Sequence, residues 1–267
     1  GYADAGAMSA TRAAHDLPCP LMGKAMDASG GMGMTLEQER GALQGAVDLA
    51  RGASRNGQCV IESFCEGALD SHSAFMRGGE IVSEFFVDEY CTVYPWQVNS
   101  SSLSLTLSAA MRDRVSGCMQ TLTRELQLVD SLLHTQFIAN QQDFWLIELT
   151  RRCPGDLYSR LVELSTGEAY SAGFVAPFIG REAVFSTRRP VQRRAIARHT
   201  ISSDIDSHFV GFHFAPLAAK IIETIPLKLP GDRLQPAPRD RAGLVFAEFE
   251  DVAELARLTP QLKHYFS

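Results

Sequence analysis

Leu132-Leu133-His134-Thr135-Gln136-Phe137-Ile138, a polar break at Asn140-Gln141-Gln142-Asp143, and Phe144-Trp145-Leu146-Ile147-Glu148-Leu149-Thr150-Arg151-Arg152-Cys153-Pro154-Gly155-Asp156 form the stretch on which the fold turns. Both arms are apolar, rich in β-branched and aromatic residues, and bounded by turn formers. That pattern predicts a β-hairpin. Side chains alternate across a strand, so His134 and Gln136 share one face, and Glu148 and Thr150 share one face. If the arms pair, an acceptor-rich set from two adjacent strands meets Arg151 and Arg152 at the strand end. Hard oxygen ligands beside fixed cations suit a magnesium-bound phosphate. The plain alternative is a surface hairpin with a solvated end, and the hairpin alone does not choose between them.

Upstream, Leu21-Met22-Gly23-Lys24-Ala25-Met26 reads as a short buried strand. A lysine inside it needs a reason, because Lys is rarely buried unpaired. Asp27-Ala28-Ser29-Gly30-Gly31-Met32-Gly33-Met34-Thr35 follows. Its glycines allow a close backbone approach and offer N–H donors to a phosphate, or simply make a flexible turn. Thr35 and Gln38 have capping-box spacing, which predicts a helix from there to about Ala53 with Leu43, Ala46, Val47 and Ala50 as its apolar face. Cys59-Val60-Ile61-Glu62-Ser63-Phe64-Cys65 reads as a strand. His72 to Met76 and Ile81 to Val87 read as strands joined by a hairpin turn at Arg77-Gly78-Gly79. Tyr90 to Ser102, with Pro95, Trp96 and a serine run, reads as irregular, with Trp96 as packing.

Leu105 to Val129 is the clearest helical pattern, with Met111, Val115, Cys118, Met119, Leu122 and Leu126 on one face. Beyond the hairpin, Asp156 is placed to cap a helix, and a second apolar helix fits within Glu168 to Ile179, ended or kinked by Pro177. Gly180 to Arg198 gathers Arg181, Arg188, Arg189, Arg193, Arg194 and Arg198 in an otherwise acidic chain. A solvated linker offsetting acidic neighbours is the favoured reading, since charge runs usually need no partner; contact with an anionic substrate is the other. Short strands follow at Ile196–Ile201, Phe209–Phe214, Lys220–Ile225 and Gly243–Phe249, and a closing helix at Val252–Leu258.

The chain has 267 residues, 45% hydrophobic and 21% charged, with a net charge of −6. That is an ordinary globular composition, sufficient for one large domain or two small ones. It does not suit a general nucleic-acid binder. The apolar runs are too short to span a bilayer. The six cysteines lack zinc-type spacing and read as free, buried, reduced thiols of a cytoplasmic protein. Gly1 to Ala14 is Ala-rich with good helix formers and no initiator methionine, then Asp16-Leu17-Pro18-Cys19-Pro20 breaks any helix. This opening reads as entry in mid-protein.

Singly these signals are weak; their order discriminates. A strand with Lys24, a Gly-rich loop, a helix, a strand with Glu62-Ser63-Phe64, Glu66-Gly67, antiparallel strands, a long helix, and a hairpin with Glu148 before Arg152-Cys153-Pro154-Gly155 together resemble the ATP-grasp superfamily over roughly residues 10–182. The resemblance implies an α+β fold in which two subdomains hold ATP between antiparallel sheets. The expected division is 1–66 for the small subdomain with the Gly-rich loop, 67–181 for the large subdomain with the metal site, and 182–267 for a small C-terminal β-rich lobe. It implies that Lys24 contacts the α- and β-phosphates, and that Ser29, Gly30, Gly31 and Gly33 belong to the loop closing over them. Glu62 and the main chain near Phe64 would bind adenine. Glu148 would bridge two magnesium ions, Arg152 would steady the transferred phosphoryl group, and Arg151 would assist.

Three departures from the family pattern matter. Gln136 stands where an acid is usual and Thr150 where Asn is usual; both can offer an oxygen to Mg2+ but neither carries charge. The usual ribose-binding acid falls at Leu69, so Asp70 or the nearby His72 replaces it, or the contact is lost. His134 sits where a phosphate-facing basic residue is common, and is equally a hydrogen-bonded core histidine. The implied function is the ATP-binding and C-terminal part of an ATP-dependent ligase joining a small-molecule carboxylate to an amine, or a thiol, through an acyl phosphate. Its implied cofactors are ATP and Mg2+, its implied partner an N-terminal domain preceding Gly1, and a homodimer is among the expectations, with neither nucleic acid nor membrane. The alternative is a non-catalytic nucleotide-binding or interaction module that keeps the fold.

Overall fold

The computed structural model describes residues 16–267. The Ala-rich opening segment from Gly1 to Ala14 lies outside the described residues. β1 (Leu21–Ala25) is the middle strand of a small antiparallel sheet. It pairs with β2 (Thr35–Glu37) on one side and β3 (Cys59–Ser63) on the other. α1 (Leu43–Ala53) covers one face of this sheet. Its buried residues are Leu43, Ala46, Val47 and Ala50, the apolar face that the helical period predicts, packed on Leu21, Cys59 and Ile61. Burying each Leu or Val contributes on the order of 1.5–3 kcal/mol. Thr35 does not cap the helix. It lies in β2 opposite Gly23, and the helix opens through a 3-10 turn at Arg40–Ala42 with no side-chain cap. Strand pairing beside the Gly-rich loop outweighs the capping-box spacing.

β4 (Ala68–Arg77) and β5 (Glu80–Tyr90) form a hairpin whose turn at Gly78 and Gly79 has φ of 60° and 80°, the left-handed values that a two-residue hairpin turn demands. The serine run expected as irregular is a strand, β6 (Ser100–Leu103), buried along its length. Two of its three serine hydroxyls find partners across the sheet. Ser100 Oγ is hydrogen-bonded to His199 Nδ1 at 2.7 Å, and Arg198 Nε donates to Ser101 Oγ at 2.9 Å. α2 (Ala109–Glu125) is shorter than the apolar period suggests. Asp88 grips the preceding turn through the N–H of Leu105 and the hydroxyl of Thr106, Ser108 caps the helix, and Leu126 is left 58% exposed beyond its end.

β7 (Ser131–Ala139) and β8 (Phe144–Thr150) form the predicted hairpin. Next comes α3 (Tyr158–Thr166), with Leu157 and not Asp156 in the cap position; Asp156 accepts the N–H of Tyr158 at 3.2 Å from one residue further out. α4 (Tyr170–Val175) passes into a 3-10 turn at Ala176–Ile179 that contains Pro177. After a linker come β9 (Ile196–Ile201), β10 (Ser207–His208), β11 (Ala219–Pro226), β12 (Arg233–Leu234), β13 (Gly243–Phe249) and α5 (Val252–Leu258). Phe209 to Phe214 is not a strand. Its rings leave the ladder to pack together, Phe209 on Phe212 at 5.0 Å and Phe214 on Phe266 at 5.5 Å.

The large sheet is antiparallel throughout, in the order β11-β13-β9-β6-β5-β4-β7-β8. α3 and α4 pack on one face, around Phe75, Phe85 and Phe246; α2 and α5 pack on the other. The segment from 182 onward is β-rich, and β9, β11 and β13 continue this sheet through β6 and do not close a sheet of their own. The basic linker before β9 is pinned to it. Arg188 and Arg189 both donate to the buried Glu84 carboxylate, which also meets His72 Nε2 at 3.0 Å. Among the described residues no helix is long and apolar enough to cross a membrane.

Candidate functional site

The hairpin pairs in the register that alternation requires: His134 faces Thr150 and Gln136 faces Glu148. A bulge follows at Gln136 and Phe137, with Ile147 as the extra residue on β8. Sheet pairing carries the same face inward. Ser71 lies beside Gln136, Glu89 opposite Leu69, Ser101 opposite Glu89, and Arg198 opposite Ser101. A polar row therefore runs from exposed Glu148 through half-buried Gln136 to buried Glu89 and Arg198.

Along that row every link is specific. Thr135 Oγ1 donates to the Glu148 carbonyl at 2.7 Å and fixes the strand backbone, while the Glu148 carboxylate has no protein partner among the described residues. Gln136 Nε2 donates to Glu89 Oε2 at 2.5 Å. Burial, and then the charge of Asp156, push the Glu89 carboxyl up to about 7. Arg198 Nη1 donates to the Asp156 carbonyl at 2.6 Å and pairs with its carboxylate. Burial alone would raise Asp156, but Arg198 outweighs it and holds the group below the usual carboxylate range. Among the described residues, the buried Ser71 Oγ, Tyr158 OH and Arg198 Nη2 on this face have no hydrogen-bond partner.

His134 is on this face but beneath the surface, 3% exposed, with Nδ1 hydrogen-bonded to Ser73 Oγ at 2.9 Å. Burial drives its pKa down to about 4, so the ring is neutral near pH 7 and offers a phosphate no charge. Arg151 is not brought to the site. Its guanidinium donates to the carbonyls of Leu132 and Val129, both at 2.8 Å, and ties the end of β8 to β7. Arg152 is exposed, with only a local bond to the Cys153 carbonyl. Asp70 lies on the opposite face of the sheet, fully buried and in register with Asp88. His72 shares that face, fully buried against Glu84. Neither stands with Glu148.

On the small sheet, alternation sets Lys24 and Glu62 on the face away from α1, and they form an ion pair. The Phe64 N–H is taken by the Pro20 carbonyl at 2.8 Å, so that donor does not face open space. The Gly-rich loop is held, not free. Gly30, Gly31 and Gly33 have φ of 66°, 80° and 71°, and Tyr94 OH donates to the Gly31 carbonyl at 3.4 Å. A Cβ on Gly31 would come within 2.5 Å of the Trp96 carbonyl. Trp96 thus belongs to the packing beneath the loop. Of the cysteines, all free, only Cys59 is buried and Cys19 is exposed.

Among the described residues no three His, Cys, Asp or Glu side chains are grouped to hold a metal ion. The hairpin donors are one carboxylate, one amide carbonyl and one hydroxyl, from Glu148, Gln136 and Thr150. Magnesium commonly takes one or two protein carboxylates and completes its shell with water and phosphate, so this hard-oxygen set fits a phosphate-bound ion. Sequence reasoning missed Glu89, Ser101 and Arg198 as parts of the row. Each is ordinary in its own segment, and only strand order brings them beside Gln136.

No protein-family model and no curated protein matches the chain. Solved structures do. An L-amino acid ligase from Bacillus licheniformis superposes with a TM-score of 0.75 at 16% identity, covering 94% of this chain and 64% of that one. Phosphoribosylglycinamide synthetase from Anaerococcus prevotii gives 0.67 at 14% identity, covering 100% and 68%. The biotin carboxylase domain of 2-oxoglutarate carboxylase from Hydrogenobacter thermophilus, solved with MgADP, ADP and bicarbonate, gives 0.69 at 16% identity, covering 96% and 59%. The chain spans between 59% and 68% of the length of these three.

Proposed function

We propose that this chain, whose fold is the ATP-grasp fold, is the nucleotide- and metal-binding part of an ATP-dependent ligase that joins a carboxylate to an amine or thiol. The observation that carries the reading is the hairpin register. It sets Glu148, with an uncommitted carboxylate, directly across from Gln136 on the face that also bears Thr150, one turn of chain before the exposed Arg152. Lys24 and Glu62, side by side on the small sheet, support it.

In this reading Lys24 holds the inner phosphates as a point charge, and Arg152 steadies the transferred phosphoryl group. Glu148, Gln136 and Thr150 would hold a magnesium ion, which would supply neutralisation of phosphate charge. The acceptor carboxylate attacks the γ-phosphate, giving an acyl phosphate and ADP, and the amine then displaces phosphate. Dividing the condensation this way replaces one difficult step by two easier ones. Phosphoryl transfer is mostly positioning and charge neutralisation, which is work that Lys24 and Arg152 are suited to do. His134 and Arg151 take no part in this scheme, the first being neutral and buried, the second committed to backbone.

A binding-only module is the second reading, favoured by the uncharged Gln136 and by the burial of Asp70 and His72 on the opposite face of the sheet, away from Glu148. ADP release from MgATP in the presence of pooled small carboxylates and amines separates the two. The ligase reading predicts substrate-dependent ADP that Glu148→Gln abolishes. Nucleotide binding without turnover for every carboxylate and amine offered would support the module.

A further inference from the structure

Gln136 ends in an amide, and which end faces Glu148 decides whether it can be a cation ligand. Its Nε2 donates to Glu89 Oε2 at 2.5 Å. In this bond the amide N–H donates and Glu89 Oε2 accepts, so the NH2 end of Gln136 is committed to Glu89. The carbonyl end accepts no hydrogen bond from the described residues, and Glu148 is the residue directly across the strand pair from Gln136. Glu89 is itself 6% exposed and lies near another acid, Asp156, an expensive place for a carboxylate without a role.

We propose that Glu89 is the positioning residue of the cation site: a buried carboxyl group that holds the NH2 end of Gln136 and so turns the Gln136 carbonyl toward Glu148. The inference rests on reading Glu148 and Gln136 as the metal donors. Groups behind metal ligands orient them and strengthen their donor oxygens, and losing one typically weakens metal affinity by about tenfold to a hundredfold. Placing the acid on β5 instead of β7 divides between two strands what one glutamate could do alone. It also makes a reversal possible, in which a glutamate at 136 would ligate directly and a glutamine at 89 would donate to it through the same hydrogen bond.

The test is a titration of the whole chain with Mn2+ in the presence of ADP, read by the loss of the free-ion electron paramagnetic resonance signal. ADP affinity is measured separately in a chelator. Glu89→Gln removes the selection of amide ends and is expected to weaken Mn2+ binding by about tenfold or more, with metal-free ADP affinity unchanged. The double variant Glu89→Gln/Gln136→Glu is expected to return Mn2+ affinity to the wild-type value or above it. A role in packing alone would not be rescued by that exchange. Wild-type Mn2+ affinity in Glu89→Gln, beside a loss in Glu148→Gln, would overturn the proposal and leave the metal reading standing. So would a double variant that folds by circular dichroism but stays as weak as the single one. Absence of ADP-dependent Mn2+ binding in the wild-type protein would overturn the metal reading and the proposal together.

Discussion

Asp70 shows how one residue's side of a strand decides its role. One place earlier in β4 it would lie on the same face of the sheet as Gln136; where it stands it is buried beside Asp88, and among the described residues neither carboxylate oxygen has a hydrogen-bond partner. Burial, and then the charges of Asp88 and Glu89, push its carboxyl up to about 9. The folded state therefore holds a proton that the unfolded chain releases near pH 4. Where the folded state binds more protons, stability falls as pH rises, so Asp70 costs stability progressively from about pH 4 to about pH 9. Glu89, raised to about 7, acts in the same direction over a lower window. Between pH 7 and 9 Asp70 contributes to the slope, and Asp70→Asn should make urea midpoints measured across that range less steep. An undiminished slope in the variant would contradict the assignment. The alternation of Asp70 and Leu69 was readable in the sequence; the protonation was not, because it depends on Asp88 of the neighbouring strand.

At the scale of elements, the legible parts are those with a strong period. The buried face of α1 and the arms of the β7–β8 hairpin follow from apolar spacing and turn residues. β6 was illegible because serines carry no apolar period; His199 and Arg198, about a hundred positions away, provide the partners that let two of them be buried. The basic linker is half legible. It does offset acidic neighbours, but through a buried hub, not a solvated surface. Burial would raise Glu84, yet His72 and the arginines bring it down to about 2. Glu84→Gln should destabilise the protein by about 1–3 kcal/mol, as the loss of hydrogen bonds to a buried charged group does, measured by urea unfolding. A loss within error of zero would mean that the linker is not anchored there. For the Gly-rich loop, Gly31→Ala meets both a φ of 80° and the Trp96 carbonyl. It should lower nucleotide affinity while leaving the α1 and large-sheet cores intact, so calorimetric affinity should drop with little change in circular dichroism. Unchanged affinity would show that the loop's docked position is irrelevant to the nucleotide.

Across the whole molecule, strand order does what local sequence cannot. It brings β9, from the basic end of the chain, beside β6 and β5, so that Arg198 and Asp156 join the row ending at Glu148. Lys24 and Glu62 sit on a separate small sheet, joined as an ion pair. Thermal unfolding with and without MgATP, for the wild type and Lys24→Ala, tests nucleotide binding at this site most directly. A ligand at about a hundred times its dissociation constant stabilises a protein by about 2.7 kcal/mol. For a chain of this size that is a rise of about 5–10 °C. The expected result is such a rise in the wild type and none in Lys24→Ala, with the nucleotide-free melting temperatures alike. No rise in the wild type, or an equal rise in both proteins, would contradict it.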